Sequence, residues 1–223
     1  MQTIKLLISH PNPPLRLLFY AILLSFILLA FRMQIHQSFF YAFLLWNLFL
    51  AIIPYSLSYY IVSRPTLSKL IKIGLLMLWM LFLPNTSYII TDLLHLKYAT
   101  SKMLWLDVLM LSSFAMNGLF FFVLSLRHFE HLLAQFFNKK IHYSSLPICL
   151  LTAFGMYIGR FLRFNSWDII QNPQSLSLAV FDIITSPKQH YEAWFFTATF
   201  GCFLYLIYYL TLHLKLKPSA HNT

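Results

Sequence analysis

The chain has 223 residues, of which 59% are hydrophobic, 18% are aromatic and only 10% are charged. A soluble domain carries about 25% charged residues, so these charges are too few to cover a water-facing surface. Five glycines, ten prolines and a mean hydropathy of +0.69 exclude collagen-like, disordered and linker-rich chains. The composition is that of an all-α, polytopic membrane protein.

The sequence also lacks several familiar chemical sites. Its two cysteines, Cys149 and Cys202, lie inside apolar runs, which excludes a disulfide scaffold and a thiolate zinc site. No Gly-rich phosphate loop, Gly-x-Ser-x-Gly motif or His-Glu-x-x-His motif occurs, so the common nucleotide-binding and hydrolase signatures are absent.

Apolar runs of membrane-crossing length recur along the chain. A helix needs about 20 apolar residues to cross the hydrocarbon core, and about 17 to 25 are tolerated. The first run is short and reaches this length only if the arginines at its two ends extend to the interface. Leu28 and Ala30 do not form a small-x-small cleavage site, so we expect a retained helix. The sequence predicts one membrane domain, residues 1–223, with about six spans: 17–33, 38–62, 73–90, 103–126, 146–164 and 193–214.

The basic residues indicate the orientation. Ten of the 16 Lys and Arg residues fall on the side that carries both termini, so we expect both termini in the cytoplasm. The net charge of +10 does not indicate a nucleic-acid partner, because the basic residues are scattered over short connections at the membrane ends. Five of the six acidic residues lie at or beyond the predicted outer ends: Asp92, Asp107, Asp168, Asp182 and Glu192.

A first polar stretch, residues 82–95, interrupts the third predicted span. Pro84 removes a backbone donor and clashes with the preceding turn, so we expect a kink with free carbonyl oxygens. Asn85, Thr86 and Ser87 follow directly and can satisfy those carbonyls. If the helix continues, four polar residues fall within about 80° of arc. They are Asn85, Tyr88, Asp92 and His95.

A second polar stretch, residues 155–168, ends the fifth predicted span. Gly155 and Gly159 form a small-xxx-small pair, so we expect helix–helix association through them. The polar and aromatic residues that follow are Arg160, Arg163, Asn165, Trp167 and Asp168. The segment 176–185 beyond them is either a short interfacial helix or a loop.

Further polar residues lie deeper in the predicted spans. Asp107 lies near the outer end of the fourth span and shares a helix face with Met110, Phe114 and Asn117. A polar line can therefore descend towards mid-membrane, and Asn47 and Asn117 are the candidates for a deeper polar path.

Two interpretations of the charged residues stay open, besides unpaired side chains that reach to the interface. In the first, Asp92 or Asp107 pairs with Arg160 and holds three helices together. In the second, an outward-facing pocket uses the arginines and Asn85 to bind an anionic group, while Asp92 and His95 handle protons. Asp92 and His95 also have the spacing of a carboxylate–His metal pair, but no second copy occurs, so we expect no metal and no cofactor.

The segments LPNTSYIITDLLH (83–95) and GRFLRFNSWD (159–168) resemble the signature segments of a bacterial multipass membrane family, domain of unknown function 1361. Members commonly carry a small residue such as Ala where this chain has Thr86, which adds a hydroxyl. The resemblance implies a multi-pass protein of the bacterial cytoplasmic membrane, and it implies no activity, substrate or cofactor. The signature positions are Asn85, Tyr88, Asp92, His95, Arg160, Arg163, Asn165, Trp167 and Asp168.

Three functions are compatible with these residues. The first is a binding or assembly protein whose outer polar cluster holds an anionic lipid headgroup, a cell-envelope intermediate or a membrane partner. The second is a membrane-embedded enzyme acting on a lipid-linked substrate, with Asp92 as general base, His95 as acid or proton shuttle, and Arg160 and Arg163 stabilising charge. The third is a small-solute transporter built around the Pro-broken helix. We expect the first.

Overall fold

The computed structural model of the chain describes residues 13–98, 103–137 and 145–213. These residues form helices and short connections with no strand, which confirms the all-α prediction. The elements, with 3₁₀ helices labelled η, are α1 (Pro13–His36), η1 (Phe40–Ala42), α2 (Phe43–Ser63), α3 (Lys69–Phe82), α4 (Pro84–Tyr88), η2 (Ile89–Tyr98), α5 (Leu104–Phe137), α6 (Ser145–Phe161), α7 (Asp168–Gln171), α8 (Pro173–Thr185) and α9 (Tyr191–His213).

Five helical stretches in the described ranges are long and apolar enough to cross a membrane, which makes the chain a multi-pass membrane protein. The fifth predicted span, 146–164, falls on α6, which has 17 residues and ends three residues earlier than the sequence predicts, at Phe161. The helix ends there because Arg163 adopts the left-handed region, with φ of 61°. The long stretches are Arg16–Ile35, Phe40–Ser63, Lys69–Lys97, Leu104–Ala134 and Tyr191–Leu212.

Contacts between Cα atoms divide the chain into two compact units, residues 1–128 (unit 1) and 129–223 (unit 2). The boundary falls inside α5. The prediction of a single membrane domain stays a prediction, as does the cytoplasmic placement of both termini.

The core of unit 1 is built by α1, α2, η2 and α5. Leu29, Leu48, Ile89 and Phe114, one from each of these elements, belong to one buried cluster. A Cβ atom at Gly118 would lie 2.1 Å from the backbone oxygen of Thr86, so α5 approaches α4 at a point where only a hydrogen fits. This close approach fixes the position of the segment around Pro84.

The chain continues as a helix through Pro84. Leu83 keeps right-handed helical angles, and two carbonyl groups next to the proline are bonded by side chains. Asn85 Nδ2 donates to the oxygen of Phe82 at 3.1 Å, and Thr86 Oγ1 donates to that of Leu83 at 2.7 Å. The prediction that Asn85 and Thr86 satisfy these carbonyls is confirmed.

The helix then tightens into η2, a 3₁₀ helix of ten residues. Such helices rarely exceed 3 to 4 residues, and at three residues per turn the side chains at i and i+3 lie in line. Asp92 and His95 therefore align with each other, whereas Tyr88 aligns with Thr91. The predicted stripe of four polar residues rests on α-helical pitch, so the change of pitch separates Tyr88 from Asp92 around the axis.

In unit 2, α6 packs along α9. A Cβ atom at Gly201 would lie 3.0 Å from Cα of Leu150, so these two helices approach closely at Gly201. Association through Gly155 and Gly159 stays a prediction. The segment 176–185, left open between helix and loop, is helical and forms most of α8.

Candidate functional site

Asp92 is a buried carboxylate in η2 of unit 1. Its exposed fraction is 0%, and Asn47 Nδ2, from α2, donates to Oδ2 at 2.8 Å. Nδ1 of His95 lies 4.0 Å from Oδ1. The sequence identifies Asp92 and His95 but not their helper, because Asn47 comes from another helix, 45 residues away. Asn47, named above as a candidate for a deeper polar path, donates this hydrogen bond to Asp92.

His95 connects this carboxylate to the surface. Its side chain is 25% exposed, and its Nδ1 lies 3.2 Å from the backbone oxygen of Asp92. The imidazole ring packs against the rings of Phe43 and Phe40, with centroid distances of 4.9 and 6.2 Å. Packing and the pitch of η2 hold the ring in place, so any group outside the protein meets His95 before it meets Asp92.

The second buried carboxylate of unit 1, Asp107, forms an ion pair with Arg32. Arg32 Nε donates to Oδ1 of Asp107, and Nη2 donates to Oδ2 at 3.2 Å. The hydroxyl of Tyr41 donates to Oδ2 at 3.3 Å, and Cζ of Arg32 lies 5.3 Å from the centroid of the Tyr41 ring. The attraction between the two charges and these additional contacts offset the cost of removing both charges from water.

This pair corrects one expectation. The sequence analysis predicts that Arg32 extends to the interface and lengthens the first span. In the structure Arg32 is buried and donates to Asp107. Asp107 therefore has a guanidinium partner within unit 1. The pairing of Asp92 with Arg160 would join the two units and stays a prediction.

Deeper in unit 1, Asn117 forms a second polar group with Ser25. Asn117 Nδ2 donates to Ser25 Oγ at 2.8 Å and to the Ala21 oxygen at 3.2 Å. Its Oδ1 is buried and has no hydrogen-bond partner among the described residues. Met110 and Phe114, which separate Asn117 from Asp107 along α5, are both in the apolar core, so the predicted polar line is interrupted there.

The structure adds a polar cluster that the sequence does not reveal, formed by Trp79, Ser125, Ser58 and His128. Trp79 Nε1 donates to Ser125 Oγ at 2.6 Å, and Ser125 Oγ donates to Ser58 Oγ at 3.3 Å. Ser58 Oγ lies 3.0 Å from Nδ1 of His128 and donates to the Tyr55 oxygen. These four residues come from three helices and show no common spacing, so no sequence pattern predicts that they meet.

In unit 2, Asp168 organises the turn between α6 and α7. The backbone N–H of Asn165 donates to Oδ2 at 2.6 Å, and Asn172 Nδ2 donates to Oδ1 at 2.9 Å. These hydrogen bonds, first the one from the Asn165 backbone, hold the pKa of Asp168 below its ordinary value. Asp168 is engaged inside its own turn, which indicates a structural role for that signature position.

The other predicted residues of unit 2 surround this turn. Arg160 lies in the last turn of α6 and is partly buried, whereas Arg163 is exposed at the positive φ position. Trp167 is the residue before α7 and is partly buried. Asn85 and Tyr88 belong to α4 of unit 1, so the predicted site residues are divided between the two units.

Residues 46–207 match the family described as "Protein of unknown function (DUF1361)". The chain belongs to this family. The match runs from α2 into α9 and contains every candidate site residue named from the sequence, whereas Arg32 and Tyr41 precede it. No curated protein and no solved structure matches the chain.

Proposed function

We propose that this multi-pass membrane protein binds a phosphate-bearing anionic group at the end of unit 1 that carries Asp92 and His95, called here the Asp92 end. The group belongs to a lipid headgroup or a lipid-linked envelope intermediate, and the membrane is the bacterial cytoplasmic membrane. Binding or assembly, rather than chemistry, is the main role. The family membership supports the membrane location, and the charge arrangement of unit 1 supports the ligand class.

The observation that carries the proposal is a contrast in exposure at the Asp92 end. Both carboxylates there, Asp92 and Asp107, are 0% exposed. Among the side chains that the structure describes there, the basic ones that reach the surface are those of His95, which is partly exposed, and Lys97, which is exposed at the end of η2. A ligand therefore meets the His95 imidazole and the Lys97 ammonium first, while the buried carboxylates stay engaged with protein donors.

Helix ends and aromatic residues add to this surface. α2, which continues from η1, and α5 begin at the same end, and the dipole of a helix favours anions near its N-terminus. Phe39 and Phe40 are exposed there, with Phe39 at 78%. Exposed aromatic rings are typical of the membrane interface, where lipid headgroups lie.

The test is thermal unfolding of the full chain in detergent with added phosphatidylglycerol, phosphatidylcholine or inorganic phosphate. We expect phosphatidylglycerol, but not phosphatidylcholine, to raise the Tm, and the His95→Gln/Lys97→Gln variant to lose most of that rise. His190→Gln is the control, because His190 also pairs with an aspartate (Asp182, 2.9 Å) and is also partly exposed, but lies in unit 2. A full response to inorganic phosphate alone would point to a soluble anion rather than a lipid. An equal response of all variants would refute the site.

A second function, a membrane-embedded enzyme, is favoured by one specific feature. A buried carboxylate beside a partly exposed imidazole is the arrangement of a histidine that exchanges protons and a group that orients it. Since Asp92 is fully buried, His95 rather than Asp92 would contact the substrate. This reverses the predicted role of Asp92 as the general base.

The enzyme hypothesis is tested by comparing the lipid extracts of cells that produce the wild-type chain or Asp92→Asn. Asn has nearly the shape of Asp, so the variant is expected to fold. A lipid species that changes with the wild type and not with the variant supports catalysis. Identical lipid profiles with equal amounts of folded protein would leave binding as the function.

A further inference from the structure

Unit 2 contains an open groove between α6, α8 and α9. Its volume is about 360 Å³, within the range of about 300–1,000 Å³ typical of ligand pockets. The groove is lined by Leu150, Leu151, Phe154, Ile184, Trp194, Thr197 and Ala198. None of the residues discussed for the Asp92 end takes part in it.

The lining selects an apolar ligand. Thr197 is the one residue of the lining with a side-chain hydroxyl, and its Oγ1 is itself buried. The ring nitrogen of Trp194 is also engaged, because Nε1 donates to the Ile183 oxygen at 3.2 Å. The groove therefore presents hydrocarbon and aromatic surface, and the one hydroxyl of its lining, Thr197 Oγ1, is buried and has no hydrogen-bond partner among the described residues.

The shape of the groove is maintained by its walls. The hydrogen bond to Ile183 fixes the Trp194 indole to α8, and the ring stacks on that of Phe154 from α6, with centroids 6.2 Å apart. Gly201 brings α9 against Leu150 of α6. The Trp194 side chain is thus held at the wall and does not rotate to fill the space.

Exposed apolar side chains of α8 and α9 lie beside the groove, and one of them, Ile184, is part of its lining. α9 has the length and composition of a membrane span, and Phe195 on it is exposed. Leu178, Phe181 and Ile184 of α8 are also exposed and follow one another at intervals of three residues. Apolar side chains exposed in this way on a membrane protein contact acyl chains, so hydrocarbon has direct access to the groove.

We propose that this groove binds one acyl chain of a membrane phospholipid. The chain enters from the bilayer beside α8 and packs between Trp194, Leu151 and Ala198. The bound lipid fills the space between α6, α8 and α9 and stabilises their packing. This proposal does not depend on the function proposed for the Asp92 end, because its residues lie in unit 2 and its ligand contact is uncharged.

The test is native mass spectrometry of the full chain, purified in detergent and supplied with palmitoyl-oleoyl-phosphatidylcholine. This lipid has no net charge, so failure of the headgroup proposal does not affect the result. Two variants fill the groove from opposite walls: Ala198→Phe on α9 and Leu151→Trp on α6, both at exposed lining positions. Thr199→Phe, at the next exposed position of α9 and outside the lining, is the matched control.

We expect the wild type and Thr199→Phe to retain one phospholipid, and each groove variant to retain it at least fivefold less often. Trp194 provides a second readout, because phosphatidylcholine with brominated acyl chains quenches its fluorescence, measured as the difference from Trp194→Phe. The quenching of Trp194 is expected to weaken in Ala198→Phe. Equal retention and quenching in all variants would overturn the proposal, as would displacement of the lipid by an isoprenoid alcohol but not by a second phospholipid.

Discussion

Arg32 and Asp107, 75 residues apart in the sequence, form a buried ion pair in which Nε and Nη2 of the guanidinium donate to the two carboxylate oxygens. The pair joins the last turns of α1 to the first turn of α5. Tyr41 of η1 also donates to Asp107, so the pair joins η1 to α1 and α5. These two charges of unit 1 are thus buried in an ion pair, whereas His95 is partly exposed and Lys97 is exposed.

Removing one partner of this pair is predicted to destabilise unit 1. Arg32→Gln leaves the Asp107 carboxylate buried without its cation, which costs about 3–5 kcal/mol in comparable cases. The Arg32→Gln/Asp107→Asn double variant should recover part of that loss, because no net charge is left buried. The measurement is the unfolding free energy in mixed micelles. Arg64→Gln, at an exposed arginine after α2, is the control and should change stability by less than about 1 kcal/mol.

A methyl group at Gly118 is predicted to force α5 away from α4. The added Cβ would lie 2.1 Å from the Thr86 oxygen, which is backbone and cannot turn aside. Overpacking of this kind costs about 1–3 kcal/mol. Gly74→Ala is a matched control in α3, because nothing lies within 4 Å of the Cβ that it adds. We expect a lower Tm for Gly118→Ala and an equal or higher Tm for Gly74→Ala, and equal Tm values for the two would contradict the close approach.

The turn at Asp168 is predicted to loosen in acid. Its hydrogen bonds require the carboxylate, and they lower its pKa below the ordinary value of 3.8. The stabilisation is therefore complete above about pH 5, declines as the pH falls through the ordinary value, and is lost below the lowered pKa. The protection factors of residues 163–172, which are their exchange rates corrected for the intrinsic effect of pH, should fall over that pH range. In Asp168→Asn the protection factors should be low at all pH values, whereas Asp182→Asn, at an exposed aspartate, should leave the turn protected.

The Ser58 cluster predicts the tautomer of His128. Ser58 has one hydroxyl proton, which it donates to the Tyr55 oxygen, and it accepts the proton of Ser125. The contact at 3.0 Å then requires that Nδ1 of His128 carries a proton and donates to Ser58. ¹⁵N NMR of the labelled imidazole should show a protonated Nδ1 near neutral pH. Ser58→Ala removes the acceptor and should shift that resonance, and an unprotonated Nδ1 in the wild type would contradict the network.

The periodic features of the chain could be predicted from its sequence, but the partners of its polar residues could not. The apolar runs predict the membrane helices, and the polar stripe identifies Asp92 and His95 as candidate site residues. The surroundings of these two residues depend on the hydrogen bond from Asn47, on the 3₁₀ pitch of η2 and on the exposure of Lys97. All three result from packing. Arg32 shows this clearly, because a terminal arginine and a buried ion-pair partner have the same sequence pattern. Asp168 is the opposite case, because a carboxylate that the sequence singles out for binding accepts hydrogen bonds within its own turn.

The tight winding of η2 also sets how far its last residues extend. Ten residues in 3₁₀ form rise about 20 Å, whereas ten residues in α form rise about 15 Å. The element thus gains about 5 Å of reach by winding tightly, and the same winding aligns His95 with Asp92. The length of η2 and the alignment of His95 with Asp92 are therefore both set by its helical pitch. A transition of η2 to α-helical pitch would draw Lys97 back along the axis and offset His95 from Asp92 by about 60° around it.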